Sequence, residues 1–319
     1  MPARSSIHVD KPLTSILLGH FESEDAFAAM RAFPGVSVPH ASDLYTVFDK
    51  AELLRDSMSL RARGGISKTA EFGVSSGSYR CLTYAENRLV LDADRKDSTP
   101  PLQLERAAIK ALSQAAAIRH ERDMVAAVMT ASVWGSNTEA LSGGDRFDAA
   151  TTSDPIGKIE AIRRALVVGS YKPNVIVTGR EVASALLEHP DVISRLPTTQ
   201  RRIATFDDLA ALFRVDRFIV SEASYTTSEK GASTATYATI APKSLLLAYV
   251  DPSASTMDGV TAVKRFEWDL YGSPELGSTS GIRRWRDEAR RADVIELEAA
   301  WDYVVTGADL GYLLTTVVS

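Results

Sequence analysis

The sequence predicts an α+β fold, and three observations support this prediction. Strong helix formers fill residues 98–135, with prolines at the start of the run and a glycine at its end. The stretch "YKPNVIVTGREVASALLEHPD" (Tyr171–Asp191) is typical of an apolar strand, a glycine turn and a helix. The C-terminal part of the chain alternates strand-like runs with charged turns.

Composition narrows the class of protein. The chain has 319 residues, a net charge of −5 and 45% hydrophobic residues, which is typical of a soluble globular protein and not of a basic nucleic-acid-binding domain. A single cysteine, Cys81, excludes an intrachain disulfide and fits a reducing cytoplasm. We expect no membrane partner, because no apolar run reaches the roughly 18 residues of a membrane helix. We also expect no export signal, because "MPARSSIHVDKPLTS" at the N-terminus has no apolar signal-peptide core.

The first hundred residues predict two appendages. Residues 1–63 carry prolines and glycines between short apolar pieces, so we expect an N-terminal arm that lies on another surface. Residues 64–97 predict a β-hairpin with its tip at "SSGS" (Ser75–Ser78). Its few apolar residues cannot form a core, and we therefore expect it to pack on a neighbouring molecule or on another part of the chain.

The clearest element is the helix that follows. One apolar stripe includes Leu104, Leu112 and Ala116, and the stripe resumes at Val125 and Val128. Such a helix would be on the order of 50 Å long, which predicts a structural spine.

Shorter elements are predicted after the spine. Asp154 is a natural N-cap for a helix beginning at residue 155, and Thr205 with Asp208 resembles a capping box. We expect strands at 175–178, 217–221, 245–250 and 312–318, and helices at 181–187 and 209–213.

The sequence predicts no catalytic, cofactor or metal site. The histidines have no metal-ligand spacing, and His120 and His189 are interpreted as structural. Neither a GxSxG nor a GxxxxGK[ST] motif is present, and the turn at Gly179 has one glycine where a dinucleotide site uses three. The arginine-rich stretch Gly281–Asp293 indicates a solvated strand pair or a subunit contact, with polyanion binding as the alternative.

The order of these elements resembles the tailed-phage major capsid proteins of the Hong Kong 97-type fold. The stretches most similar to that family are "PNVIVTGREVASALLEHPDVISRL", "LAALFRVDRFIVSEASYTT" and "YVVTGADLGYLLTTVV". The resemblance implies an N-terminal arm (1–63), an extended β-hairpin loop (64–97), a peripheral domain with the spine helix (98–153 and 252–299) and an axial domain (154–251 and 300–319).

The resemblance also implies a function. It implies a structural, non-enzymatic protein that self-assembles through hexamers and pentamers into an icosahedral virion shell, in the cytoplasm of a host bacterium. The shell would enclose double-stranded DNA without sequence-specific contacts, and scaffolding, portal and decoration proteins are partners that the resemblance allows. Subunit contacts are expected at Lys68, Glu71, Arg80 and Arg88 on the hairpin.

Two other interpretations stay open at this point. An encapsulin-type nanocompartment shell shares the fold and encloses a protein cargo, whereas residues 1–40 do not form the clean amphipathic helix expected at a cargo site. A small α/β enzyme would need a convergent pocket of titratable residues, and the sequence shows no such cluster.

Overall fold

The computed structural model describes residues 26–48, 54–56, 58–61, 63–67, 69, 74–97, 102–166, 171–195, 205–229, 232–255, 259–269 and 280–319. The strands in these ranges are β1 (Gly35–Val38), β2 (Ser42–Phe48), β3 (Val74–Arg80), β4 (Leu82–Leu91), β5 (Thr138–Ala140), β6 (Val175–Gly179), β7 (Arg217–Ser221), β8 (Ser224–Thr226), β9 (Tyr237–Thr239), β10 (Leu245–Ala248), β11 (Val263–Trp268), β12 (Ser280–Asp287), β13 (Ala292–Val305) and β14 (Gly311–Thr315). The α-helices are α1 (Ala29–Ala32), α2 (Asp92–Asp97), α3 (Leu102–Val128), α4 (Pro155–Ala165), α5 (Arg180–Glu188), α6 (Pro190–Arg195) and α7 (Phe206–Phe213).

The long strand β13 organises the first sheet. β4 pairs with it along one edge, while β12 and β11 pair with it along the other, all antiparallel. β1 adds to β11 in parallel. Apolar residues of β4, β12 and β13 pack against Ile109, Leu112 and Ala116 of α3, so one face of this sheet is covered by the first half of that helix.

The second sheet has the strand order β5-β14-β10-β6-β7 and is covered on both faces. Successive residues of a strand point to opposite faces. Val175 and Val177 of β6 accordingly pack with Met124 and Val128 of α3. Ile176 packs instead with apolar residues of α4, α5 and α7, such as Leu186. The sheet therefore lies between the spine helix and the shorter helices.

The predicted spine is confirmed as α3, although it is shorter than expected. It spans 27 residues, about 40 Å, and is followed by a 3-10 turn at Ala131–Trp134. The helix is also buried over a wider arc than one stripe, because Ser113, His120 and Glu121 face inward together with its apolar residues. Both sheets contact this helix, so it connects the two halves of the molecule.

The capping predictions are confirmed. The Asp154 side chain accepts a hydrogen bond from the amide of Gly157 at the start of α4. Thr205 and Asp208 exchange hydrogen bonds in a complete capping box that begins α7. These two helices cover the second sheet, and local sequence signals therefore fix where they begin.

The predicted hairpin tip at Ser75–Ser78 is wrong. These residues lie inside β3, which pairs antiparallel with β2 over Ser42–Phe48, and β4 belongs to the first sheet. The error has a physical cause: "SSGS" is typical of a turn, but the close approach of the Tyr45 ring to Gly77 makes the small residue a packing requirement. The two-stranded hairpin therefore consists of β2 and β3.

Candidate assembly surfaces

The base of the β2–β3 hairpin is fixed on the first sheet. The rings of Tyr45 and Tyr79 lie 5.5 and 4.4 Å from the Phe266 ring of β11, measured between centroids. The amide of Arg80 donates a hydrogen bond to the Asp302 carboxylate of β13 at 2.9 Å. The hairpin thus leaves the sheet in a defined direction.

The chain between β2 and β3 carries exposed apolar side chains. Met58, Leu60 and Ile66 are each at least 92% exposed, and Leu54 is half exposed. A soluble monomer seldom keeps several large apolar side chains fully in water in one short segment, and such groups mark interaction surfaces. The spacing of Leu54 and Met58 in the sequence suggests one face of a helix, but the structure has no helix at these described residues, and sequence reasoning did not identify them as an exposed surface.

The described residues include two of the four charged residues predicted for subunit contacts, Arg80 and Arg88. Lys68 and Glu71 lie outside the described residues. Arg80 is exposed at the end of β3, whereas Arg88 lies on β4 and pairs with Glu86 of the same strand at 2.9 Å. Arg80 and Arg88 therefore lie on different elements, and their contacts with a neighbour stay a prediction.

The Gly179 turn serves packing. A Cβ atom at this position would lie 2.9 Å from the carbonyl oxygen of Pro242 and 3.3 Å from Cβ of Ala241. The chain before β10 therefore occupies the space beside this glycine. Because Gly179 has no side chain, the end of β6 can lie close to the residues that precede β10, as expected for a structural glycine.

His120 and His189, which the sequence predicts to be structural, both contact other side chains of the fold. His120 of α3 stacks on Trp301 with a centroid separation of 3.5 Å and makes a 3.2 Å hydrogen bond to the Tyr303 hydroxyl. Nδ1 of His189 accepts from the amide of Asp191 at 3.2 Å, and Nε2 lies 3.0 Å from Oγ of Ser153. Burial lowers the pKa of His120 well below its usual value, which keeps that ring neutral.

The arginine-rich stretch contains most of β12 and the start of β13, and four of its arginines contact carboxylates. Arg284 contacts Asp293 at 2.7 Å and Glu105 of α3 at 3.0 Å. Arg95 of α2 contacts the same two carboxylates at 2.8 and 2.9 Å. This cluster joins the start of the spine to the first sheet, which favours the strand-pair interpretation over polyanion binding.

The contribution of Asp293 to the stability of the fold should be present at neutral pH and disappear at acid pH. Burial raises the pKa of Asp293, but hydrogen bonds from Arg284 and Arg95 outweigh it, and the net result is a pKa of about 2. Because the folded pKa is below the ordinary 3.8, the stabilisation is complete above pH 4 and is lost as the pH falls towards 2. We expect Asp293→Asn to lower the free energy of unfolding by ~2 kcal/mol at pH 7.

Urea unfolding of the full-length chain between pH 7 and pH 2 measures this effect. The stability difference between the parent chain and Asp293→Asn should shrink as the pH falls from 4 to 2. A difference that stays constant across this interval would contradict the assignment. Glu188→Gln is the matched control, because Glu188 is an exposed carboxylate at the end of α5.

Cys81 is buried between β3 and β4 and is expected to be unreactive. Burial, reinforced by the nearby Asp302 carboxylate, raises the pKa of the thiol from 9.0 to about 12. The thiolate fraction at pH 8 should then be roughly a thousandfold below that of an ordinary cysteine. We expect Ellman's reagent to label Cys81 in urea but not in the native protein, and rapid native labelling would disprove this.

The described part of the chain offers no obvious reactive centre. Within those ranges no three histidine, cysteine or acidic side chains lie together as metal ligands would. The same ranges contain no helix that is long and apolar enough to cross a membrane. The outstanding surface is therefore the hairpin with its exposed apolar segment.

Comparisons with known proteins agree with a shell-forming role. The family model described as phage major capsid protein E matches residues 104–253. The major capsid protein of Burkholderia phage BcepMu is 26% identical over 315 residues and covers 96% of both chains. This alignment includes the spine, both sheets and the hairpin.

Solved structures share the fold at low sequence identity. A phage-related protein of Bordetella bronchiseptica superposes with a TM-score of 0.77 at 19% identity, over 98% of both chains. The capsid protein of cyanophage P-SCSP1u gives a TM-score of 0.57 at 10% identity, over 92% of this chain and 88% of the other. The chain therefore has the Hong Kong 97-type fold, and its sequence is similar to phage major capsid proteins, which are structural shell proteins.

Proposed function

We propose that the chain is non-enzymatic and assembles in the cytoplasm of a bacterial host into the icosahedral shell around the double-stranded DNA of a tailed phage. Copies of the chain form hexamers and pentamers, and the DNA is enclosed without sequence-specific contacts. Scaffolding, portal and decoration proteins would be further partners. Heterologous contacts that close into rings produce such capsomers.

The observation that carries the proposal is the exposed apolar segment between β2 and β3. Met58, Leu60 and Ile66 lie in water in the isolated chain, although burial of such side chains is worth about 1.5–3 kcal/mol each. A neighbouring copy that covers them gains this free energy. The hairpin base, stacked on Phe266, holds the segment away from the core of its own subunit.

The proposed domain division uses the family names for the two halves of the molecule. The peripheral domain would contain the spine and the first sheet, and the axial domain would contain the second sheet with α4–α7. The strand pairs suggest shifts in the predicted boundaries. β5, within 98–153, pairs with β14, and β13 continues across residue 299.

Charged contacts are a secondary part of the proposal. Arg80 and Arg88, together with Lys68 and Glu71, would orient a neighbour instead of supplying most of the binding free energy. Exposed ion pairs contribute at most about 1 kcal/mol each. We therefore expect single charge reversals at Arg80 or Arg88 to slow assembly and to leave the final shells intact.

The test measures the mass of the purified assemblies and their contents. The chain should form species of five or six copies of the 34.6 kDa subunit and larger closed particles. Particles produced together with the neighbouring phage genes should contain nuclease-protected double-stranded DNA. Particles that consistently enclose a protein cargo instead of DNA would support the nanocompartment alternative, and a small discrete oligomer under all conditions would contradict assembly.

A further inference from the structure

The short helix α1 lies at the start of the chain that leads to the hairpin. It is followed directly by β1 in the first sheet and by β2 in the hairpin. Ala28, Ala29 and Ala32 are buried against Met124 and Val128 of the spine helix. The position of α1 therefore affects how the chain enters the hairpin.

A buried carboxylate holds the beginning of α1. Glu121 lies in the second half of the spine helix and has 0% exposure. One of its oxygens accepts from the amide of Ala29 at 2.8 Å, and the other lies within hydrogen-bond distance of the Ser221 hydroxyl at the end of β7. One side chain thus connects the spine, the second sheet and α1.

A buried guanidinium holds the end of α1. Arg265 of β11 donates to the carbonyl oxygens of Ala29 and Met30 at 3.3 and 3.2 Å, and it pairs with Glu267. Arg217 of β7 also donates to the carbonyl of Arg31 at 2.7 Å. An acceptor at the amide end and donors at the carbonyl end satisfy groups that a one-turn helix cannot pair internally.

We propose that Glu121 and Arg265 form a releasable clamp on α1, and that ionisation of Glu121 weakens the seating of this helix. The clamp would link the environment of the subunit to the position of the segment that enters the hairpin. Release would expose the Glu121 carboxylate to water, and hydration favours its charged form. A seated helix therefore favours the neutral carboxyl group.

The direction of the pKa shift of Glu121 agrees with weaker seating of α1 when this carboxyl group is ionised. Burial raises the pKa of Glu121, while hydrogen bonds from Ser221, Ala29 and Ala28 partly oppose the shift. Because the folded pKa is raised, the seating is strongest below the ordinary value of 4.5 and weakens as the pH rises through the raised pKa.

Other ionisable groups surround the clamp and must be separated from Glu121 in any test. They are His120, Arg122 and Asp123 on the spine, Arg31 on α1, Arg217 on β7, Glu222 directly after it, Arg265 and Glu267 on β11, and Tyr303 on β13. Burial holds His120 neutral, and Arg265 and Arg217 stay charged throughout the useful pH range. A substitution of Glu121 itself is therefore the decisive comparison.

Hydrogen exchange of the full-length unassembled chain tests the clamp. We expect the amides of residues 26–33 to exchange roughly tenfold faster at pH 8 than at pH 5, after correction for intrinsic exchange, which corresponds to ~1.4 kcal/mol. Glu121→Gln imitates the neutral carboxyl group, so it should keep slow exchange at both pH values. Glu160→Gln on the surface of α4 should behave like the parent chain.

A second variant separates clamping from simple packing. Glu121→Ala should give fast exchange of residues 26–33 at both pH values, with amides of β6 still protected as evidence of folding. The proposal is overturned if Glu121→Gln keeps the pH dependence of the parent chain, or if it loosens α1 as much as Glu121→Ala does. Neither result depends on shell formation, so the proposed function is judged separately.

Discussion

Triple replacement of Met58, Leu60 and Ile66 by serine is expected to abolish shell formation and to leave the subunit folded. These side chains are exposed to water in the isolated chain, so replacing them removes no contacts from the core of the subunit. Each covered side chain would contribute about 1.5–3 kcal/mol to a subunit contact, and the contact repeats at every subunit of a shell. Sedimentation velocity should show particles for the parent chain and only slow-sedimenting species for the variant.

A conservative triple variant provides the matched control. Met58→Leu, Leu60→Met and Ile66→Val keep an apolar surface of similar size, and shells should still form. Circular dichroism and urea unfolding of both triple variants should match the parent chain. Normal shells from the serine variant would show that this segment does not carry the assembly contact.

Gly311→Ala is expected to destabilise the fold by about 3 kcal/mol, at the upper end of the range for overpacked cores. A Cβ atom at Gly311 would lie 2.1 Å from the indole ring of Trp134. That ring is buried, and its Nε1 donates to the carbonyl of Val128 at 2.7 Å, so it cannot easily move. Urea unfolding of the parent chain and of Gly311→Ala measures the decrease in the free energy of unfolding.

A double variant tests whether the clash with the Trp134 ring causes the loss of stability in Gly311→Ala. Trp134→Leu destabilises the chain by itself, but it also makes room for the added methyl group. Gly311→Ala should therefore cost clearly less in the Trp134→Leu background than in the parent chain. Equal costs in both backgrounds would show that the clash with the indole ring is not the reason.

Local signals in the sequence predicted much of this fold. The composition of the spine, the capping residues Asp154 and Thr205, and the apolar strand at β6 depend on neighbours in the chain, and the structure has each of them. These signals were sufficient because helix caps and buried strands are determined largely within a few residues.

Pairing between distant segments was not predictable in the same way. The hairpin was misassigned because the partner of β3 is β2, which lies more than 25 residues earlier in the chain, and no local signal links the two strands. Glu121 was also overlooked, since only tertiary contacts with Ala29 and Ser221 distinguish it from an ordinary surface glutamate on a helix. Burial of such a group is determined by the packing of three separate elements.

Electron microscopy of the negatively stained, purified full-length chain tests the central claim most directly, with the chain expressed alone and together with its neighbouring phage genes. A self-assembling shell protein predicts closed shells or rings of capsomer size in at least one of these preparations. Only small discrete particles in every preparation would contradict this account.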